Sequence, residues 1–318
     1  MRQEKVTGPA ALVLTATAAR RYYFDDASKS DIAAELGVSR FKVARLLDQA
    51  RASGLVRIEL DYRGEIDLEL SVRLSSAYGL RYCVVIDCTT DDDDDVLRTN
   101  LGRAAAGLLT EILTGEDVLG LAWARSLIVM RSYLTRLPPC PVVQLAGALS
   151  RSDVDTGCVE LVRDVARASG GPAYFFYAPL IVPDAATARV MRTQPEIARA
   201  AARFPDVTKA VVGVGAWQQG QSTVADAVTD DERRQLHDFG VRAELGGIQL
   251  DADGKPLATA LTERVIGIDA QQLAAVPDII AIVSGTSKAR AVRAAVRGRL
   301  VTSLVTHTAL ADQLLDLA

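Results

Sequence analysis

The sequence predicts an α/β protein in which an N-terminal winged helix-turn-helix domain precedes a doubly wound, mostly parallel α/β domain. Up to about residue 60 the apolar residues recur at helical spacing, and from about residue 80 short apolar runs alternate with helical stretches. A chain of 318 residues is also long for a single domain. We therefore expect one domain at residues 1–62 and a second at residues 63–318.

The helix-turn-helix is predicted from "SDIAAELGVSRFKVARLLDQARASGLVRIEL", which begins at Ser30. Gly37 permits a sharp turn, and Ser39 is a good N-cap for the second helix. That helix would face inward with Val43, Leu46, Leu47 and Ala50. A helix from Ala10 to Phe24 would add a third packing surface made of Leu12, Ala16, Ala19 and Tyr23. The strand expected at the end of the stretch would form the wing.

A basic outer face on the second helix indicates DNA binding. Residues 1–63 hold 11 Lys and Arg against 8 Asp and Glu (+3), whereas the rest of the chain holds 25 against 32 (−7). A helix-turn-helix places its second helix in the major groove, where Arg45 or Lys42 could reach guanine edges. The residues that we assign to double-stranded operator DNA are Ser30, Ser39, Arg40, Phe41, Lys42 and Arg45. The alternative is a generic helical hairpin with a solvated basic face.

Six apolar runs predict the buried parallel strands of the second domain: "YCVVID", "DVLGLAW", "PVVQLAG", "AVVGVGA", "DIIAIVS" and "LVTSLV". Helical periodicity between Ile66 and Tyr78 predicts a connecting helix before them. The acidic run Asp91 to Asp95 is predicted to be a solvated loop that leads into a helix from Val96 to Leu113, with a metal site as the alternative.

Several classes of protein are disfavoured by composition. The four cysteines form no CxxC pair and the chain has two histidines, so we expect free thiols in a reducing cytoplasm and no metal site. No GxGxxG or GxxxxGK[ST] motif occurs, and we expect no cofactor. No apolar run approaches the ~20 residues that span a bilayer. We expect a cytoplasmic protein without a membrane partner.

The chain resembles the SorC-type sugar-binding transcriptional regulators. The stretch "YYFDDASKSDIAAELGVSRFKVARLLDQARASGLVRIEL" is followed, in the order of that family, by "LGRAAAGLLTEILTGEDVLGLAWARSL", "VVQLAGAL", "YAPLIVPD", "AVVGVGAW", "ELGGIQLDADG" and "VIGIDAQQLAAVPDIIAIVSGTSKARAV". The resemblance implies an effector domain similar to phosphosugar isomerases of the glucosamine-phosphate deaminase kind. Such a domain binds sugars, often phosphorylated, without turning them over. The resemblance also implies a homo-oligomer, either a dimer or a tetramer.

Strand-to-helix turns of the second domain predict an anion site. Ser126, in the turn after "DVLGLAW", can add a hydroxyl donor, and Lys288, after the turn at Gly285, suits a phosphate. The resemblance places Glu244 near ligand hydroxyls, and Gln144 at the end of "VVQL" could bind hydroxyls likewise. The residues that we assign to the effector are Trp123, Ala124, Arg125, Ser126, Gln144, Glu244 and Lys288.

Each polar residue of this set also has a purely structural interpretation. Ser126 could cap its helix, and Lys288 could be a solvated residue of a first turn. Glu244 could pair with Arg242 on the surface, and Gln144 could satisfy a loop backbone.

The chain departs from the family pattern near the expected site. Ala124 stands where a glycine is usual, Ser126 where a threonine is usual, and Ala146 replaces the asparagine of "LNGG". Arg242 and Ala243 replace a small apolar pair. The resemblance therefore implies a retained anion cradle and an altered hydroxyl-binding part, so the identity of the sugar does not transfer.

Together these features predict a DNA-binding transcriptional regulator whose operator binding is controlled by a sugar, polyol or sugar-phosphate effector. The alternative is a phosphosugar isomerase or deaminase fused to a DNA-binding domain. Such chemistry requires a base and a proton relay in the cleft. Glu244 is a conceivable base, but only His307, of the two histidines, falls in a motif stretch at a strand end. We therefore expect no enzyme activity.

Overall fold

The computed structural model describes residues 8–56, 65–88, 94–149 and 157–318. Contacts within the chain form two compact units, Met1–Arg63 and Gly64–Ala318. The predicted wing strand and the first three aspartates of the acidic run lie outside the described residues. Within the described ranges, no helix is both long and apolar enough to cross a membrane.

Residues 8–56, the described part of the first unit, form three helices: α1 (Pro9–Tyr23), α2 (Lys29–Leu36) and α3 (Arg40–Ala52). Gly37 ends α2 with a φ of 62°, in the left-handed region that glycine adopts without steric cost. Ser39 caps α3, because its hydroxyl oxygen accepts the Lys42 N–H at 3.2 Å. The two predicted local signals therefore set the turn and the start of the second helix.

The core of the first unit follows the predicted pattern except on α1. Its buried apolar residues are Ala18, Ala19, Ile32, Ala33, Val43, Leu46, Leu47 and Ala50. The expectation that Leu12 packs inward was wrong, since Leu12 is 46% exposed. The buried stripe of α1 instead runs through Thr15, Ala18 and Ala19. Thr15 is tolerated there because its hydroxyl donates to the Ala11 carbonyl at 2.8 Å.

The second unit alternates helices and strands. Its helices are α4 (Leu68–Tyr78), α5 (Asp94–Ile112), α6 (Arg125–Tyr133), α7 (Cys158–Ser169), α8 (Ala185–Arg192), α9 (Pro195–Ala201), α10 (Thr223–Ala227), α11 (Asp230–Phe239), α12 (Ala270–Ala274), α13 (Ala289–Arg297) and α14 (Thr308–Asp316). Its strands are β1 (Cys83–Ile86), β2 (Leu119–Leu121), β3 (Val142–Gln144), β4 (Ala173–Tyr174), β5 (Lys209–Val212), β6 (Gly215–Ala216), β7 (Ala243–Leu245), β8 (Ile248–Leu250), β9 (Asp278–Ile282) and β10 (Ser303–His307). Short 3₁₀ turns occur at Phe204–Asp206, Thr262–Arg264 and Thr286–Lys288.

Within the part of the chain that the structure describes, seven strands form a central sheet in the order β1-β10-β9-β5-β2-β3-β4, and these pairings are all parallel. Along β9, Ile279 and Ala281 belong to one apolar core while Ile280 and Ile282 belong to another. Helices cover both faces, which is why the strands read as continuous apolar runs. The predicted α/β class with a mostly parallel sheet is confirmed.

Two features of the second unit were not predicted. The run "AVVGVGA" divides into β5 and β6, and β6 leaves the central sheet to pair antiparallel with β7, which pairs with β8. The run "LVTSLV" contributes only its second half to a strand, because β10 begins at Ser303. The small antiparallel sheet is what brings Glu244 to the functional site.

Candidate functional site

A cleft opens at the carboxyl ends of four adjacent strands of the central sheet, β9, β5, β2 and β3. Its wall contains Arg98, Trp123, Ala124, Arg125, Ser126, Ala146, Gly147, Leu149, Leu180, Gly213, Val214, Gly215, Gly220, Gln221, Ser222, Thr223, Val224, Glu244, Gly246, Ile282, Ser284 and Lys288. β2 and β5 are neighbours in the sheet. The next strand of this sheet along the chain after β2 is β3, which lies on one side of the pair, and the next after β5 is β9, which lies on the other side. The cleft therefore lies at a topological switch point, where open α/β sheets bind their ligands.

The first wall of the cleft is the N-terminal end of α6. Ala124 is the N-cap residue and offers no side-chain cap, and the residues that start α6, Ala124, Arg125 and Ser126, line the cleft. A Cβ on Gly213 would lie 2.7 Å from the Ala124 Cβ, so the glycine allows the end of β5 to approach this turn. The arrangement suits an anion held by backbone N–H groups and the helix dipole.

Ser126 lies in this wall but its hydroxyl is already engaged. The hydroxyl donates to the Ile282 carbonyl at 3.2 Å, and the residue is 7% exposed. The interpretation of Ser126 as a side-chain helix cap is not what the geometry shows. To donate to a ligand, Ser126 would have to give up its bond to Ile282.

A second wall is the turn that follows β9. Gly285 adopts a φ of 94°, and the Lys288 N–H donates to the Gly285 carbonyl at 3.2 Å. Lys288 is half-buried and lines the cleft. No hydrogen bond or salt bridge of its ammonium occurs with any described residue. The turn thus presents a cation to the cleft, as the sequence predicted for Lys288.

Glu244 forms a third wall, at the centre of the small antiparallel sheet. It pairs with Gly215 of β6 and is 5% exposed. One carboxylate oxygen accepts the Ser222 hydroxyl at 2.8 Å, and the other accepts the Gly247 N–H at 3.3 Å. The alternative pairing with Arg242 is wrong, since that guanidinium donates to the carbonyls of His237 and Val241.

Glu244 and Lys288 carry opposite charges, and each favours the charged form of the other. Burial raises the pKa of Glu244, although the bonds from Ser222 and Gly247 and the charge of Lys288 counteract this effect. Burial lowers the pKa of Lys288, and the positive charges of Arg125 and Arg98 lower it further, against the effect of Glu244. A ligand anion beside Lys288 would favour the charged ammonium, and ligand hydroxyls would find the carboxylate oxygens of Glu244.

Gln144 lies outside the cleft wall. It is fully buried, its amide N–H donates to the Ala146 carbonyl at 2.9 Å, and its amide oxygen accepts the Phe176 N–H at 3.2 Å. This is the structural interpretation of the residue, and we leave Gln144 out of the proposed ligand contacts. Trp123, Ala124 and Arg125 do line the cleft.

Several residues of the cleft were missed by sequence reasoning. Arg98 reaches it from the first turns of α5, where Asp94 and Asp95 lie within 3.7 Å and 2.8 Å of its guanidinium. The sequence signal that could have indicated Arg98 was the connection from strand β1 to helix α5, because such connections also led to Ser126 and Lys288. Ser222 and Gln221 come from the loop after β6, and no local pattern distinguishes Ser222 from an ordinary helix cap.

The residues assigned to DNA lie on the surface of the first unit. Ser30 is an exposed residue of α2, and Ser39 is the exposed cap of α3. Arg40, Lys42 and Arg45 are exposed on α3, and none of them forms a salt bridge with a described residue. Phe41, between the cations, is 83% exposed. An exposed, unneutralised basic face of this kind suits a phosphate backbone.

Comparison with known proteins agrees with the fold. Residues 62–316 match the family model Sugar-bind, described as "Putative sugar-binding domain". The chain is 28% identical over 303 residues to the "Uncharacterized transcriptional regulator YjhU" of Escherichia coli K12, covering 92% of both chains. It is 27% identical over 312 residues to the "Transcriptional regulator LsrR" of Klebsiella pneumoniae, covering 96% of this chain and 93% of the relative.

A solved structure extends the likeness to the fold of nearly the whole chain. The full-length sorbitol operon regulator SorC from Klebsiella pneumoniae superposes with a TM-score of 0.72 at 22% identity, covering 96% of this chain and 98% of that one. The resemblance to the SorC-type regulators predicted from the sequence is confirmed. Because the family model spans most of its length, the chain belongs to the Sugar-bind family of sugar-binding domains.

Proposed function

We propose that this protein is a DNA-binding transcriptional regulator whose operator binding is controlled by a sugar, polyol or sugar phosphate bound in the cleft. The observation that carries the proposal is that one cleft contains both a carboxylate that can bind hydroxyl groups and a positive charge that can bind a phosphate. Glu244, held by Ser222, offers carboxylate oxygens to hydroxyl groups, and Lys288 with the N-terminus of α6 offers positive charge to a phosphate. The names of the relatives, which are transcriptional regulators, support the same function.

The first unit supplies the DNA-binding part of this proposal. We infer that α2 and α3 form the helix-turn-helix of a winged domain and that α3 enters the major groove. The exposed cations Arg40, Lys42 and Arg45 support this inference. The guanidinium of Arg45 or the ammonium of Lys42 would contact guanine edges, and the remaining polar groups would contact phosphates.

The effector controls DNA binding if effector binding and operator binding are thermodynamically coupled. A sugar can alter operator affinity only by its different affinity for two states of the protein. We infer that these states differ in the assembly of a homo-oligomer, a dimer or a tetramer, because a helix-turn-helix protein reads two-fold sites with two copies. Light scattering of the full chain with and without effector would measure that assembly.

We infer that the cleft binds its sugar without chemical turnover. A buried glutamate beside a lysine is also the kind of pair found at catalytic sites. An isomerase, however, needs a proton relay that reaches the substrate. Within the described cleft wall no histidine is present to supply one. The relatives are named regulators, which supports binding without catalysis.

The decisive experiment measures DNA binding and effector binding on the same protein. The full chain selects duplexes from a random pool, and the enriched duplex is then titrated in the presence of sugars, polyols and sugar phosphates. Native mass spectrometry of the purified protein identifies any ligand that co-purifies. We expect one enriched sequence and a shift of its affinity by one chemical class of effector.

The matched control is the double variant Glu244→Gln, Lys288→Ala, which should bind the selected duplex but not respond to the effector. Failure to enrich any sequence would contradict the regulator proposal. Appearance of an isomerised or deaminated product in NMR spectra of the effector would favour the enzyme alternative.

A further inference from the structure

The end of β10 holds the turn that presents Lys288. The Val283 N–H donates to the Val305 carbonyl at 3.0 Å, and the Thr306 hydroxyl donates to the Val283 carbonyl at 3.1 Å. One step further on, the Gly285 N–H donates to Nε2 of His307 at 3.3 Å. The imidazole of His307 thus accepts the Gly285 N–H at the point where the paired backbones of β9 and β10 have ended. Gly285 is also the residue whose carbonyl accepts the Lys288 N–H at 3.2 Å.

We propose that His307 is a positioning residue of the anion site: its neutral imidazole fixes the Gly285 turn that presents Lys288, and protonation of His307 releases this turn and weakens anion binding. The part of the inference that concerns anion binding rests on the proposed function, whereas the hydrogen bond between His307 and Gly285 does not. A nitrogen that accepts an N–H must carry a lone pair, so Nε2 cannot hold this bond once it is protonated. His307 does not itself line the cleft, and it therefore acts through the turn.

The surroundings of the imidazole favour the neutral form that the bond requires. Burial lowers the pKa of His307 from the ordinary value of 6.5, and Asp94 of α5 partly opposes this effect. The charged or titratable groups on and next to the elements that pack against β10 are, among the described residues, Cys83, Asp87, Cys88, Asp94, Asp95, Arg98, Arg103, Glu111, Asp278, Lys288, Asp312 and Asp316. As the pH falls below the ordinary histidine range, the imidazole becomes protonated and the bond is lost.

A second bond ties the same turn to the loop that follows β6. The Ser287 hydroxyl donates to the side-chain oxygen of Gln221 at 2.7 Å, and Gln221 lines the cleft next to Ser222. Of these two contacts with the turn, only the one from His307 involves an ionisable side chain. We expect the turn to loosen rather than to unfold when the histidine is protonated.

NMR of the full chain tests the bond without any ligand. Labelled histidine gives two imidazole signals, His307 and the exposed His237, and ¹³C-carbonyl serine with ¹⁵N-glycine selects the three Ser–Gly peptide bonds, one of which is Ser284–Gly285. We expect His307 to be the Nδ1–H tautomer at pH 8, and the Gly285 amide to titrate together with it. An Nε2–H tautomer, or a Gly285 amide that does not follow the His307 titration, would overturn the positioning role.

Sulfate tests the anion half of the inference, because its charge is constant between about pH 5 and pH 8. We expect sulfate to bind the wild-type chain about threefold or more weakly at the acid end, as for the loss of one hydrogen bond. His307→Gln, which keeps an acceptor and does not titrate, should bind with wild-type affinity at pH 8 and show no such loss. His307→Leu should bind weakly at both pH values.

The two halves of the test separate the possible failures. A titrating Gly285 amide without any sulfate binding would count against the anion site of the proposed function and leave the hydrogen bond in place. Equal pH dependence in the wild type and in His307→Gln would overturn the switch. Tighter sulfate binding at acid pH would also overturn it, because the imidazolium would then act as an attractive charge.

Discussion

The hydroxyl of Ser222 donates to a carboxylate oxygen of Glu244 at 2.8 Å, and both residues are buried in the wall of the cleft. The same hydroxyl oxygen accepts the Ala225 N–H at 3.0 Å, which fixes its direction at the start of α10. Since Gly247 binds the second carboxylate oxygen, Glu244 is held in one orientation before any ligand arrives. Such preorganisation reduces the entropy lost when a polyol binds.

Replacing Glu244 by Gln should weaken sugar binding and reduce the dependence of the stability of the ligand-free protein on pH. The folded-state pKa of Glu244 is raised by burial, so the folded protein holds this proton more tightly than the unfolded chain does. Its contribution to stability is therefore greatest below the ordinary glutamate pKa and is lost as the pH rises through the raised folded value. Glutamine cannot ionise and avoids that loss. Thermal unfolding from about pH 4 to pH 8 should show a smaller decline in the variant, and equal declines would refute the expectation.

Replacing Lys288 by Ala should weaken a phosphorylated effector about tenfold or more and hardly affect a neutral polyol. A charge-assisted hydrogen bond contributes roughly 1.5–3 kcal/mol, and 1.4 kcal/mol corresponds to a factor of ten. Titration calorimetry with both ligands measures the difference. Lys255→Ala, an exposed lysine outside the cleft wall, is the matched control. Unchanged affinity for the phosphorylated ligand in Lys288→Ala would favour an unphosphorylated sugar or polyol.

Replacing Arg45 or Lys42 by Ala should weaken operator binding while folding and effector binding stay intact. Loss of a bidentate guanine contact should cost about 1–3 kcal/mol and relax the sequence preference. Loss of a phosphate contact should instead reduce the salt dependence of binding. Gel shifts at several salt concentrations distinguish the two effects. Arg167→Ala, an exposed arginine of the second unit, is the control, and wild-type shifts for both α3 variants would mean that the recognition helix is misassigned.

Replacing Gly215 by Ala should abolish most effector binding. A Cβ at this position would collide with the Glu244 carboxylate and would lie 2.7 Å from the Ser222 Cβ, so the two side chains could not keep their bond. The matched control is Gly107→Ala on α5, where a Cβ meets nothing within 4 Å and should stabilise the helix by about 0.5–1 kcal/mol. Calorimetry and thermal unfolding measure both variants, and full effector affinity in Gly215→Ala would remove the Ser222–Glu244 pair from the proposed site.

Local chemistry made part of this structure predictable. Gly37 and Ser39 act on residues within one turn of themselves, so the boundary between α2 and α3 could be read directly. The parallel strands were recognisable because both faces of the sheet are covered, and continuous apolar runs are the result. The N-terminus of α6 and Lys288 followed from the rule that strand-to-helix turns of a parallel sheet meet at one edge.

Other predictions failed where the local pattern allowed more than one answer. Leu12 satisfies the apolar period of α1, but the helix is rotated so that Thr15 and Ala18 face the core instead. Gln144 ends strand β3, but its side-chain amide donates to the carbonyl of Ala146 and accepts the N–H of Phe176 instead of facing a ligand. A sequence pattern cannot show which partner a buried amide meets, because that partner comes from another segment.

The sequence by itself determined the α/β class, the two helices around Gly37, and the cationic side of the cleft, since each depends on residues close together in the chain. Only the tertiary structure decided that β6 leaves the central sheet to pair with β7, and that Ser222 reaches Glu244 there. The same holds for the contact between His307 and Gly285, which are 22 residues apart. The choice of pairing partner for β6 and the meeting of these loops depend on packing between segments that are far apart in the chain, and no local spacing encodes them.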